Sequence, residues 1–128
     1  MRLKHFSLTF GQQVLKALAD ESRLRILHLI LHNKEMCTSD LEQVLDFTQT
    51  KTSRHLSYLR NAGLVINRKT DQWVYYAIKD EAADFVTQIL NYMERDTVLQ
   101  KDREVYNILY SNRELAANKQ QTRRWPAP

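Results

Sequence analysis

Apolar residues recur along this chain with two different periods, and the switches between them mark out its elements. From Phe10 to Ala19, the positions Phe10, Val14, Leu15 and Leu18 follow the 3.6-residue repeat of one helix face. Asp20 offers an N-cap and Glu21 an acidic first turn for a second helix to about His32, with Leu24, Leu27 and Leu31 on one stripe. Asn33-Lys34 breaks it. Thr38 is placed to cap a short helix from Ser39 to about Leu45, with Leu41, Val44 and Leu45 inward. After the tight connection Asp46-Phe47-Thr48, Thr48 is a cap for a longer helix whose Thr52, Leu56 and Leu59 share a face. Gly63 stands where a left-handed residue would end it.

The period then shortens. Leu64, Val65 and Ile66 form one β-prone run and Trp73 to Ile78 another, with Lys69-Thr70-Asp71-Gln72 as the turn of a hairpin. Helix resumes at Asp80 and runs to about Glu94, carrying Phe85, Val86, Ile89, Leu90 and Met93. A last helix from about Thr97 to Leu115 carries Val98, Tyr106 and Leu109, and residues 116–128 read as a disordered tail. The chain has 2 glycines, and both prolines fall among the last three residues, so breakers are scarce. The pattern predicts a mainly α chain with a small β-hairpin, one domain over 1–115.

Within that frame, "FTQTKTSRHLSYLRNAGLV" at 47–65 holds the most informative face. Gln49, Thr50, Ser53, Arg54 and Ser57 fall on one side of the helix cylinder. Gln and Arg present bidentate edges suited to adenine and guanine, while Ser and Thr bond phosphates or bases. A helix N-terminus also favours a phosphate. A short helix, a tight turn, this longer helix and then a hairpin bearing Arg68 and Lys69 make a winged helix-turn-helix. Base-reading falls to Gln49, Thr50, Ser53 and Arg54, and backbone or wing contacts to Lys51, Ser57, Arg68, Lys69 and Thr70.

Charge sharpens the picture. The net charge of +4 over 128 residues is modest. Residues 48–79 nevertheless carry six Lys and Arg against one Asp, a net +5, whereas residues 80–104 carry a net −4. A basic middle beside an acidic stretch points to an anion-binding face and a separate surface turned elsewhere. The partner so implied is double-stranded DNA; a winged helix used only for protein contacts would leave the +5 segment without a purpose.

Three stretches in order, "LKALADESRLRILHLI" at 15–30, "CTSDLEQVLDFTQTKTSRHLSYLRNAGLV" at 37–65 and "WVYYAI" at 73–78, resemble the arsenic-responsive repressor (ArsR) family of dimeric bacterial transcriptional regulators. The resemblance covers about residues 10–95. It implies a homodimer joined through the first and fifth helices, with the helix from Gln49 in the major groove of a palindromic operator. It also implies repression relieved by an effector, which the sequence does not identify. On this reading the DNA-binding core is about 10–79, and the helices of about 80–115 extend a dimer interface.

Two departures bear on the signal. Arsenic-type members carry two cysteines around the start of the third helix; "EMCTSDL" keeps Cys37 and has Ser39 at the second position. Members that sense metal on the fifth helix use histidines there, and no histidine follows His55. Neither familiar metal site is therefore expected, and no cofactor is implied. Thr52 also replaces the family's usual valine and is expected to stay inward.

The remaining chemistry is thin. The single cysteine excludes an internal disulfide and fits a reducing cytoplasm. Cys37 is a buried space-filler, a ligand paired across the dimer or a thiol switch, the last giving a thiol-responsive version of the same regulator. His28 and His32 stand four apart, a ligand-compatible spacing with no third ligand in view. His55 either bonds a phosphate or packs within the helix-turn-helix. No nucleophile elbow, paired acids or phosphate-cradling glycine loop suggests an enzyme. No export signal is read, and the longest apolar run, residues 73–78, is too short to span a membrane.

Overall fold

The computed structural model describes residues 5–111. In chain order the elements are α1 (Leu8–Leu18), α2 (Glu21–Asn33), β1 (Met36–Cys37), α3 (Thr38–Leu45), α4 (Gln49–Asn61), β2 (Val65–Thr70), β3 (Trp73–Ile78), α5 (Asp80–Asn91) and α6 (Thr97–Ser111). The chain is mainly helical, with a three-stranded antiparallel sheet in the order β1-β3-β2. The expected hairpin is thus joined by a strand that periodicity did not reveal, Met36 pairing with Tyr76 and Cys37 with Tyr75.

Side-chain caps set the starts of α1, α2 and α4. Ser7, Asp20 and Thr48 accept hydrogen bonds from the backbone N–H of Phe10, Arg23 and Lys51 at 3.0, 3.0 and 3.1 Å. The first of these starts α1 at Leu8, ahead of the expected Phe10. Thr38 is not a cap. It is already the first residue of α3, and Cys37 holds the cap position without a side-chain bond, because the β1 pairing carries extended backbone up to that point. The predicted four-residue wing turn also contracts. The β2 pairing runs on through Thr70 to Trp73, leaving Asp71-Gln72 as the loop, with Asp71 at φ 55°.

The end of α4 explains Gly63. Gly63 N–H donates to the Arg60 carbonyl and Leu64 N–H to the Leu59 carbonyl, each at 3.0 Å, the paired bonds of a Schellman end. Gly63 sits at φ +83°, and a Cβ there would come within 3.0 Å of the Phe10 ring. The conformation therefore favours glycine, and any side chain would also press on the Phe10 ring.

Packing centres on α2, whose Ile26–Ile30 are all buried, so it is sheathed rather than amphipathic. Around it lie Val14 and Ala17 of α1, Leu41 of α3, Leu56 and Leu59 of α4 and Val86 of α5, all fully buried. Leu15, expected inward, is instead 63% exposed, and Ala17 takes its place. The fifth helix stops at Asn91 rather than Glu94, and near the start of the last helix Leu99 rather than Val98 is the buried apolar residue. The expected end of that helix at Leu115 and the tail of 116–128 lie outside the described residues. Among the described residues, no helix is long and apolar enough to cross a membrane.

Contrary to the reading of 80–104 as an outward acidic surface, Asp102 is 2% exposed. It receives two hydrogen bonds from Arg25 of α2, both 2.9 Å, a bidentate pair whose bond to Asp102 pushes the Arg25 pKa up despite burial. Arg103 donates to His28 Nε2 at 2.7 Å and the Tyr110 hydroxyl to Asp40 at 2.7 Å. One face of α6 thus covers the core of its own chain across α2 and α3, while Val98 and Ile108 stay exposed.

Candidate nucleic-acid interface

The helix-turn-helix is α3, a three-residue turn and α4. Asp46 closes α3 in the left-handed conformation at φ 59°, which a short polar side chain tolerates. Phe47 then turns the chain, and Thr48 opens α4 with a double tie: its Oγ1 accepts from Lys51 N–H, and its carbonyl accepts from Thr52 Oγ1 at 2.9 Å. Thr52 is buried, as expected. Its hydroxyl bonds the backbone instead of stranding a polar group in the core.

With Thr52, Leu56 and Leu59 inward, α4 turns the opposite side to solvent. Gln49, Thr50, Ser53, Arg54 and Ser57 are all exposed. They therefore form one surface, as the spacing predicted, and among the described residues Arg54 makes no ion pair. Lys51 is half-buried because its Nζ lies 4.0 Å from the centre of the Phe47 ring, a cation–π contact holding the amine beside the helix N-terminus. The first-turn N–H groups and this amine together create positive potential at that end.

The wing is less open than expected. Lys69 is exposed and Thr70 half-buried at the tip. Arg68, by contrast, donates to Glu35 at 3.3 Å, so a phosphate would have to compete with that carboxylate for it. The pair is solvent-exposed and therefore weak.

His55 resolves to the packing alternative. It is 6% exposed, and burial first, then the nearby Arg23, lowers its pKa despite the opposing pull of Asp20. A guanidinium can only donate, so the Arg23 contact at 3.4 Å makes His55 Nδ1 an acceptor on a neutral ring. Sequence reading missed Arg23, and nothing in the pattern separated it from Arg25 two residues on. Burial raises the Asp20 carboxyl pKa, but the hydrogen bond from Arg23 N–H and the Arg23 charge outweigh it and hold the group below the usual aspartate value.

Cys37 is fully buried, its Sγ 3.2 Å from Ser39 Oγ. The two positions that would carry the paired cysteines are therefore adjacent in space, with one thiol between them. His28 and His32 stack with ring centres 5.8 Å apart, but Arg103 occupies His28 Nε2. Among the described residues, no group of three or more His, Cys, Asp or Glu side chains is placed to hold a metal ion.

Residues 20–67 match the family model described as bacterial regulatory protein, arsR family. The chain is 42% identical over 77 residues to the arsenic resistance transcriptional regulator ArsR1 of Pseudomonas putida, spanning 60% of each chain. It is 40% identical to the arsenical resistance operon repressor of Escherichia coli, spanning 62% of this chain and 68% of that one. Among solved structures, HlyU from Vibrio cholerae aligns with a TM-score of 0.61 and 33% identity, over 66% of this chain and 91% of the other.

Proposed function

The chain belongs to the bacterial arsR family of regulatory proteins and is a transcriptional regulator of that type rather than an enzyme; from this premise we propose that it is a homodimeric repressor of a palindromic operator. Each protomer lays the Gln49–Arg54 side of α4 into a major groove, with half-sites about one helical turn apart, roughly 34–36 Å. Gln49, Thr50, Ser53 and Arg54 read base edges. Lys51, Ser57, Lys69, Thr70 and, in competition with Glu35, Arg68 hold the backbone.

The observation that carries this reading is the α4 surface itself. Five polar residues without a single acid stand in solvent on a helix braced by a capped N-terminus and a Schellman end. Dimerisation is supported by Leu8 and Leu15, one face of α1 at 90% and 63% exposure, and by Tyr92 after α5 at 89%. Side chains of that size leave water only by meeting a partner surface. Repression is supported by the likeness to the Escherichia coli operon repressor. Release falls to an effector outside the two familiar metal sites. Burial of Cys37 favours packing over a thiol switch.

The test is selection of bound duplexes from a random library, followed by a salt titration. Recovery of an inverted repeat with one-turn spacing, bound with a steep negative salt slope, is the expected result. Recovery of no preferred sequence, or of single half-sites at one protomer per duplex, would overturn the reading.

A further inference from the structure

Arg23 is the most heavily engaged side chain next to the recognition helix, and it touches no predicted DNA contact. Its Nε donates to the Ala17 carbonyl at 2.7 Å and one terminal nitrogen to the Lys16 carbonyl at 3.2 Å, closing the last turn of α1. The other terminal nitrogen lies 3.8 Å from Asp20, the cap of α2, and 3.4 Å from His55 Nδ1 of α4. The guanidinium plane covers the Tyr58 ring of α4, with Cζ 4.0 Å from the ring centre. The side chain is only 11% exposed. One planar cation therefore joins the end of α1, the start of α2 and the middle of α4.

The geometry matters because α1 and α4 do different work. On the reading given above, on which this inference rests, α1 faces the second protomer and α4 faces DNA. Phe10 of α1 also sits against Gly63 just past the end of α4, and both helices bury side chains in the shared core, contacts without directional preference. A fork of donors with a stacked face is directional: it fixes how far α4 can rotate or slide against α1. We propose that Arg23, with Tyr58 and His55 as its seat, is a positioning residue that sets the angle of α4 to α1. It thereby determines which half-site spacing the assembled protein accepts.

Lysine at this position keeps the charge and loses both the fork and the stack, so Arg23→Lys is the discriminating variant. Tyr58→Phe keeps the ring face and Tyr58→Leu removes it. Binding is measured to the operator selected by the parent protein, to versions with half-sites one base pair closer and farther, and to random duplex of equal length. Arg23→Lys and Tyr58→Leu are expected to narrow the preference for the parent spacing by about tenfold, the scale of a partly desolvated cation–π contact. Random-duplex affinity stays within about twofold because no phosphate contact is lost. Tyr58→Phe should behave as the parent, and Arg23→Lys with Tyr58→Leu should lose no more than either alone.

Unchanged spacing preference in Arg23→Lys, with the parent binding its operator, would overturn the positioning role and leave the DNA-reading proposal intact. Equal loss on operator, shifted operator and random duplex would also overturn it, since that marks general destabilisation. A parent protein without sequence preference would sink both readings together. Spin labels at the exposed Gln13 and Arg60 give a check without DNA. Arg23→Lys should broaden their distance distribution, and an identical distribution counts against the joint.

Discussion

Helix α4, proposed to read DNA, and helix α6 are both rich in polar side chains, and one face of each uses them in opposite ways. On α4, Gln49, Thr50, Ser53, Arg54 and Ser57 are turned to water, and among the described residues Arg54 makes no ion pair. On α6, Asp102 and Arg103 turn inward, one forming a bidentate pair with Arg25 and the other bonding His28. Polar side chains exposed on a rigid frame are available to a ligand. Those buried in pairs hold the frame, and removing one partner leaves the other desolvated. Side-chain type alone does not separate the two uses; burial does.

That contrast predicts which property each substitution damages. Asp102→Ala should have the largest effect, leaving Arg25 charged beneath α6 and costing about 3 kcal/mol in urea unfolding. The sequence choice and salt slope of the folded protein should remain those of the parent. Loss of sequence choice at unchanged stability would reverse the roles assigned to the two helices.

Acid should act next, and again through α6. His28 faces Arg103, His32, Asp102 and Glu94, and burial first, then the Arg103 charge, lowers its pKa from 6.5 to about 4. The folded state resists a proton that the unfolded chain accepts, so stability falls as pH drops from about 6.5 toward 4. The loss is of order 2–3 kcal/mol at 5% exposure. Urea midpoints across that range should decline for the parent and flatten for His28→Gln. A parallel decline in both would assign the effect to other groups.

On α4 the expectation inverts. Arg54→Ala should weaken operator binding by about 1–3 kcal/mol and relax sequence choice, while stability moves by less than about 0.5 kcal/mol. A gel-shift series against a thermal melt checks both halves. The smallest effect belongs to the wing tip. Lys69→Ala should lower affinity a few-fold on every sequence and reduce the salt slope by about one, whereas a sequence-dependent loss would move Lys69 among the base-reading residues.

How much of this was legible beforehand follows the range of each interaction. Caps at Asp20 and Thr48, the glycine after α4 and the inward Thr52-Leu56-Leu59 face are local, so the helix-turn-helix and its outward residues could be read from spacing. The strand Met36–Cys37 could not, since two residues have no period and their conformation comes from pairing with Tyr75 and Tyr76 nearly forty positions later. That pairing also displaced the cap expected at Thr38. The burial of Asp102 was hidden for a similar reason: its partner Arg25 lies 77 residues away, and an acid in a charged stretch looks like surface. Arg23 was hidden because its role arises only where three helices meet.

In the proposed complex the Gln49–Arg54 side of α4 lies against bases and α6 does not. The decisive measurement is photo-cross-linking from a reactive group carried at Thr50 or, separately, at Val98, in complex with the selected duplex. Adducts from position 50 at major-groove base positions of each half-site, with none from position 98, are the predicted result. Adducts from position 98 alone, or from neither position under conditions where the duplex is fully bound, would contradict it.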